Sequence, residues 1–241
     1  MKHLLRFLGR GSAFRTDNNC AFFALDGNLV LLDCPLSAFH KLRHIGADKL
    51  AGGKASCITV LVTHTHSDHT SGIGMLIHYS YFVLHIPVVV IAPSDEVAQD
   101  IRLLTDRLDG CSSDGYEIKT FEKGLYSWLT AAVPTCHSQQ LDGRCFGWIL
   151  DIEGKRVVYT GDTNTLEPFM PYICKGCLLY TEVSAFDSPV HLYIEKFAPQ
   201  FKNIVQEGVE VYFMHLDDDE ALEQAAQQIG AQLAPLYIRN K

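Results

Sequence analysis

Short apolar runs alternate with polar turns along this chain, and two periodicities can be separated. Runs of about five apolar residues closed by glycine or Asp-Gly turns predict strands. Cys20–Leu25 and Leu29–Asp33 flank Asp26-Gly27-Asn28 and read as a hairpin. Met1 to Gly9 reads as a first strand ending in a glycine turn. Ile58–Val62 and Val88–Ala92 are apolar strands on either side of a helix over Met75–Ile86. Further strands follow at Ile118–Phe121, Tyr126–Val133, Cys145–Ile152, Val157–Thr160, Leu178–Thr181 and Val209–Met214. Helical spacing also covers Ser37–Leu50, a segment capped by Ser94 or Asp95 and running to about Leu108, and Asp217–Ile229. The acidic first turn of the last of these suits the helix dipole. With no repeat, low-complexity stretch or linker, this alternation predicts one α/β domain over residues 1–241, its sheets covered by helices.

Composition narrows the class. Of the 241 residues, 47% are hydrophobic and 20% charged, ample for a sizeable core. No apolar run reaches the roughly 18 residues of a membrane span. The N-terminal apolar segment is short and broken by Arg6, unlike a secretory signal. A cytoplasmic protein is therefore expected, with its eight cysteines as thiols rather than disulfides. Cys174-Lys-Gly-Cys177 is a lone CxxC with no second pair at zinc-finger spacing, so no structural metal is assigned to it. The net charge of −8 argues against extended binding of nucleic acid, which needs a basic face.

The chemistry is concentrated in His64-Thr65-His66-Ser67-Asp68-His69, directly behind the Ile58–Val62 run. A chain leaving a strand still extended points His64 and His66, two apart, the same way. Asp68 and His69 fall in the following turn, where the chain can curl back toward them. Two imidazoles on one side and a carboxylate with a third imidazole on the other suit two adjacent metals better than one. Three more donors stand just past predicted strands: His137 after Val133, Asp162 in a Gly-Asp-Thr turn after Thr160, and His215 after Met214.

In this order the set resembles the metallo-β-lactamase superfamily, whose pattern is HxHxDH followed by a distant His, Asp and His. The resemblance runs from Phe7-Leu8-Gly9-Arg10-Gly11-Ser12 through Leu31-Leu32-Asp33-Cys34 to His215, nearly the whole chain. It implies a four-layer αββα sandwich with a dinuclear site at one edge. Carried over residue by residue, His64, His66 and His137 would hold the first metal. Asp68, His69 and His215 would hold the second, and Asp162 would bridge. Imidazole and carboxylate donors suit two zinc ions, and manganese or iron takes the same ligand types.

Val190-His191-Leu192, following a strand that ends in Glu182, is similar to the phosphodiesterase branch of that superfamily. Ribonuclease Z, the small cyclic-nucleotide phosphodiesterases and the phosphonate-pathway cyclic phosphodiesterases belong to it. There the extra histidine contacts the phosphate or protonates the leaving group. His191 is expected in that role, with Glu182 orienting it and Asp68 steering the nucleophile. Only 25 positions separate His137 from Asp162, leaving no room for the tRNA-gripping arm of typical ribonuclease Z enzymes. Tyr159 also stands where those enzymes carry an acidic residue. A small or cyclic phosphodiester is therefore the expected substrate. Two divalent ions against Asp68, Asp162 and a shared hydroxide leave a positive centre suited to that anion. Rival readings are a thioester or lactone hydrolase like glyoxalase II, a tRNA 3′-processing endonuclease, and a non-catalytic metal-binding member of the fold. No membrane association is expected, and a homodimer is compatible with the chain.

Overall fold

The computed structural model describes residues 3–237, so the Met1 and Lys2 positions of the first expected strand lie outside it. The chain divides into two compact units, one of Met1–Phe121 with Pro235–Lys241 and one of Glu122–Ala234.

The first unit is built on a six-stranded sheet in sequence order. Its strands are β1 (Arg6–Gly9), β2 (Cys20–Leu25), β3 (Asn28–Leu32), β4 (Cys57–Leu61), β5 (Val88–Ala92) and β6 (Tyr116–Thr120). The hairpin predicted from Asp26-Gly27 is present, with Phe22 paired to Leu31. From β3 onward the strands run parallel, joined by helical crossovers. That explains the continuous apolar reading of β4: Ile58, Val60 and Leu61 are fully buried, as parallel strands covered on both faces require.

The helices of this unit depart from the simple periodic reading. The stretch expected over Ser37–Leu50 is two helices, α1 (Leu36–Ile45) and α2 (Ala47–Ala51). Gly46, at φ 99°, breaks the ladder between them in a conformation that favours glycine. A four-residue helix α3 (Ser67–Thr70) precedes α4 (Ile73–Tyr79), which continues as a π-helical turn over Ser80–Leu84. Ser94 caps α5 (Asp95–Arg102) by accepting from Val97 N–H, and a second π-helical turn covers Leu103–Leu108.

The second unit carries six strands in the order β12-β11-β10-β9-β8-β7. They are β7 (Leu129–Pro134), β8 (Phe146–Ile152), β9 (Lys155–Tyr159), β10 (Leu178–Glu182), β11 (Glu210–Met214) and β12 (Gln232–Leu233). The expected strand from Tyr126 starts only at Leu129, because the chain turns first, with Leu129 N–H donating to Tyr126 O at 3.2 Å. β7–β8 and β8–β9 are antiparallel, whereas β9, β10, β11 and β12 are parallel. The carboxyl ends of β7, β9, β10 and β11 therefore share one edge of the sheet.

Two helices complete this unit, α6 (Ile194–Gln206) and α7 (Asp219–Ile229). The sequence reading missed α6. Pro199 inside it masks a pattern in which Ile194, Phe201 and Ile204 are buried. Phe201 packs edge-on against Phe213 at 5.0 Å, and burying each ring contributes on the order of 2–3 kcal/mol. Among the described residues no helix is long and apolar enough to cross a membrane.

Candidate metal centre

The β3–β4 register pairs Leu32 with Leu61, which sets Asp33 beside the chain leaving β4. Asp33 is fully buried and holds a left-handed backbone at φ 62°. Strain of this kind in a non-glycine residue persists only where its surroundings hold it. Its carboxylate accepts from Thr63 N–H at 2.7 Å, from the Thr63 hydroxyl at 2.8 Å and from His69 Nδ1–H at 2.8 Å. Burial raises the Asp33 carboxyl above its ordinary range, opposed by His69 and by the Thr63 hydrogen bonds.

These contacts set the imidazole tautomers. With its Nδ1 proton given to Asp33, His69 presents an Nε2 lone pair, 3.2 Å from Asp68 Oδ2. The Thr63 hydroxyl, donating to Asp33, is left to accept from His64 Nδ1 at 3.1 Å. His64 Nε2 then faces His66 Nδ1 at 3.0 Å. The His69 Nε2 lone pair facing the Asp68 carboxylate is repulsive alone and favourable around a cation, so the donor set of this unit fits a divalent ion. The backbone fixes the arrangement. His69 N–H and Thr70 N–H both return to His66 O, and Cys34 N–H donates to His69 O. Gly72 N–H donates to Cys34 O, an approach so close that a Cβ on Gly72 would lie 2.6 Å from Pro35 O.

In the second unit four strand ends converge. Asp162 Oδ2 stands 3.6 Å from His137 Nε2 and 3.4 Å from His215 Nε2. His137 gives its Nδ1 proton to Val190 O at 2.9 Å, leaving Nε2 as a donor of electrons. His215 sits at φ 54°, a second strained strand end. The Asp162 carbonyl accepts from the Thr135 hydroxyl at 2.9 Å, joining the ends of β9 and β7.

His191 stands among these ligand types, its ring 5.0 Å from that of His137 and 5.4 Å from that of His215. Its Nδ1 donates to Glu182, 2.9 and 3.0 Å from the two carboxylate oxygens. Glu182 is fully buried at the end of β10 and is itself oriented by Thr163 N–H at 2.6 Å. Burial pushes His191 down, but the charge and hydrogen bond of Glu182, with Asp162 and Asp217 beyond, more than offset this and raise it to about 9. Asp162, His191 and His215 each bring a donor atom within 4.8 Å of the others, so this cluster too suits a cation.

The structure brings His64, His66, Asp68 and His69 together in one unit, and His137, Asp162, Glu182, His191 and His215 together in the other; Asp68 and His69 lie in α3, and His191 lies in the segment between β10 and α6. Sequence reasoning gave Asp33 no role in the site and passed over Thr63. Asp33 obeys the same grammar as the ligands, an apolar strand followed at once by a donor, and that was its available signal. Asp33→Ala is expected to weaken metal affinity about 10–100-fold, the range for a lost partner of a metal-binding histidine. Competition with a chromophoric chelator measures this, and unchanged affinity in folded protein refutes the assigned role.

Residues 3–234 match the sequence profile of the family described as "Anti-Pycsar protein Apyc1". The Anti-Pycsar protein Apyc1 of Bacillus phage 010DV004 is 24% identical over 247 residues, covering 91% of each chain. Among solved structures, the metallo-β-lactamase fold protein YhfI from Bacillus subtilis has a TM-score of 0.75 at 17% identity, covering 97% of both chains. A diphosphatase of the PhnP family has a TM-score of 0.70 at 15% identity, covering 97% of this chain and 95% of its own. These likenesses establish the metallo-β-lactamase fold for the chain.

Proposed function

Because the chain belongs to the Anti-Pycsar protein Apyc1 family, we propose that it is a metal-dependent phosphodiesterase opening a small cyclic phosphodiester of the cyclic-nucleotide type. On this reading both donor groups would serve one dinuclear centre. His64, His66 and His137 would hold one ion and Asp68, His69 and His215 the other, with Asp162 between them. Zinc suits these imidazole and carboxylate donors best. When bound, the ions would activate water near neutral pH and offset the charge of the phosphodiester.

The observation that carries the reading is the His191–Glu182 pair beside Asp162, His137 and His215. An alkoxide leaving group needs a proton, whereas an anionic thiolate departs without one. Glu182 holds the Nδ1 proton of His191 and stabilises its charged form, so the Nε2 proton is available for that leaving oxygen. His137, His64 and His69, by contrast, have their tautomers set by hydrogen bonds that leave a lone pair for a cation. Imidazoles of these two kinds divide the work between binding and proton transfer.

A panel of bis-p-nitrophenyl phosphate, cyclic nucleotides, a thioester and a lactone, offered to zinc-loaded protein, tests the proposal. Turnover of the phosphodiesters, with the cyclic nucleotides preferred, is expected. Turnover confined to the thioester or the lactone would overturn it in favour of a carbonyl hydrolase.

A further inference from the structure

The proton donor faces a cavity of about 300 Å³, lined among others by Asn164, His191, Tyr193, Lys196 and Phe197, all of the second unit. His191 is the histidine open to it: its side chain is 23% exposed, against 4% for His137 and 2% for His215. The cavity lies at the lower end of the range for small-molecule sites, about 300–1,000 Å³. It suits a nucleobase with its sugar and is too small for a polymer.

Its wall is preformed. Asn164 donates its side-chain amide to Pro189 O at 2.9 Å, and Val190 O accepts from His137. The segment between is closed by Ser184 N–H to Leu192 O and Ile194 N–H to Ser184 O, both 2.9 Å. The first turn of α6 then presents Lys196 and Phe197 side by side, with the ammonium 5.2 Å from the ring centroid. Phe197 is partly buried against the core and also lines the cavity.

If His191 protonates the leaving oxygen, the nucleoside attached to that oxygen lies next to His191. His191 forms part of the wall of this cavity. Resting on the phosphodiesterase reading, we propose that the cavity seats the base of a cyclic nucleotide, with Phe197 as its stacking surface and Lys196 donating to an acceptor on the base or ribose. A base offers a π-face to an aromatic ring whatever its identity, and lysine has donors only, so the pair recognises a nucleoside and ignores a simple alkyl ester.

The test compares Phe197→Leu, which keeps apolar volume against the core, and Lys196→Met, at an exposed position, with the zinc-loaded wild type. Calorimetry with a nucleoside 5′-monophosphate should show affinity about tenfold weaker in Phe197→Leu and severalfold weaker in Lys196→Met. Affinity for inorganic phosphate should hold in both. KM for a cyclic nucleotide should rise in parallel, while KM for trimethylene cyclic phosphate, which has no base, stays put. Variants matching wild type toward the nucleotide, or weakened equally toward inorganic phosphate, overturn the cavity assignment alone. A wild type that hydrolyses neither cyclic ester overturns the phosphodiesterase reading, and the cavity assignment falls with it.

Discussion

Asp162→Ala is expected to lower kcat/KM for a cyclic phosphodiester by about three to four orders of magnitude, roughly 4–5 kcal/mol of transition-state stabilisation. Its Oδ2 lies within 3.6 Å of both His137 Nε2 and His215 Nε2, at the junction of the two imidazoles. Removing the carboxylate leaves two convergent imidazole nitrogens with no anion between them, so bound metal should drop below two equivalents. Asp162→Asn, nearly isosteric, should be almost as impaired, because the charge matters more than the volume. The hydrogen bond from Thr135 goes to the Asp162 backbone carbonyl and survives either substitution, so the fold should hold. Elemental analysis beside kcat/KM and far-UV circular dichroism reads all three. Two full equivalents of metal with activity within tenfold of wild type would refute the assignment.

His191→Ala should cost about 10²–10⁴ in kcat toward a cyclic nucleotide, the usual worth of a positioned general acid. The loss should depend on the leaving group. p-Nitrophenolate departs readily as an anion and needs no proton, so turnover of bis-p-nitrophenyl phosphate should fall far less. Metal content should stay near that of wild type. Glu182→Gln should follow the same pattern with a smaller loss, because the neutral amide can still position the ring but no longer stabilises the imidazolium. Equal losses on both substrates, accompanied by loss of metal, would instead make His191 a ligand. Its donor atom lies close enough to those of Asp162 and His215 for that outcome to be read clearly.

Much of the fold was legible because the strands announce themselves locally. β4 and β5 are continuous apolar runs, and parallel strands buried on both faces leave no polar alternation to misread. The helices were less legible. Gly46 splits one and Pro199 disguises another, while two end in π-helical turns that a period of 3.6 does not anticipate.

By itself the sequence determined where the donors stand in the chain, since a histidine or aspartate at the first polar position after an apolar strand is a local pattern. It also determined the family of folds, through the ordered HxHxDH set and the later His, Asp and His. Only tertiary structure decided which of these groups meet and in what protonation state. The pairing of Leu32 with Leu61 brings Asp33 to Thr63 and His69 across 30 and 36 positions. The pairing of Glu182 with Met214 aligns the ends of β10 and β11, and the closed segment after Glu182 returns His191 to that carboxylate. Register between distant strands is a collective result of packing, and a hydrogen-bond partner supplied by register leaves no mark in the residues on either side of it.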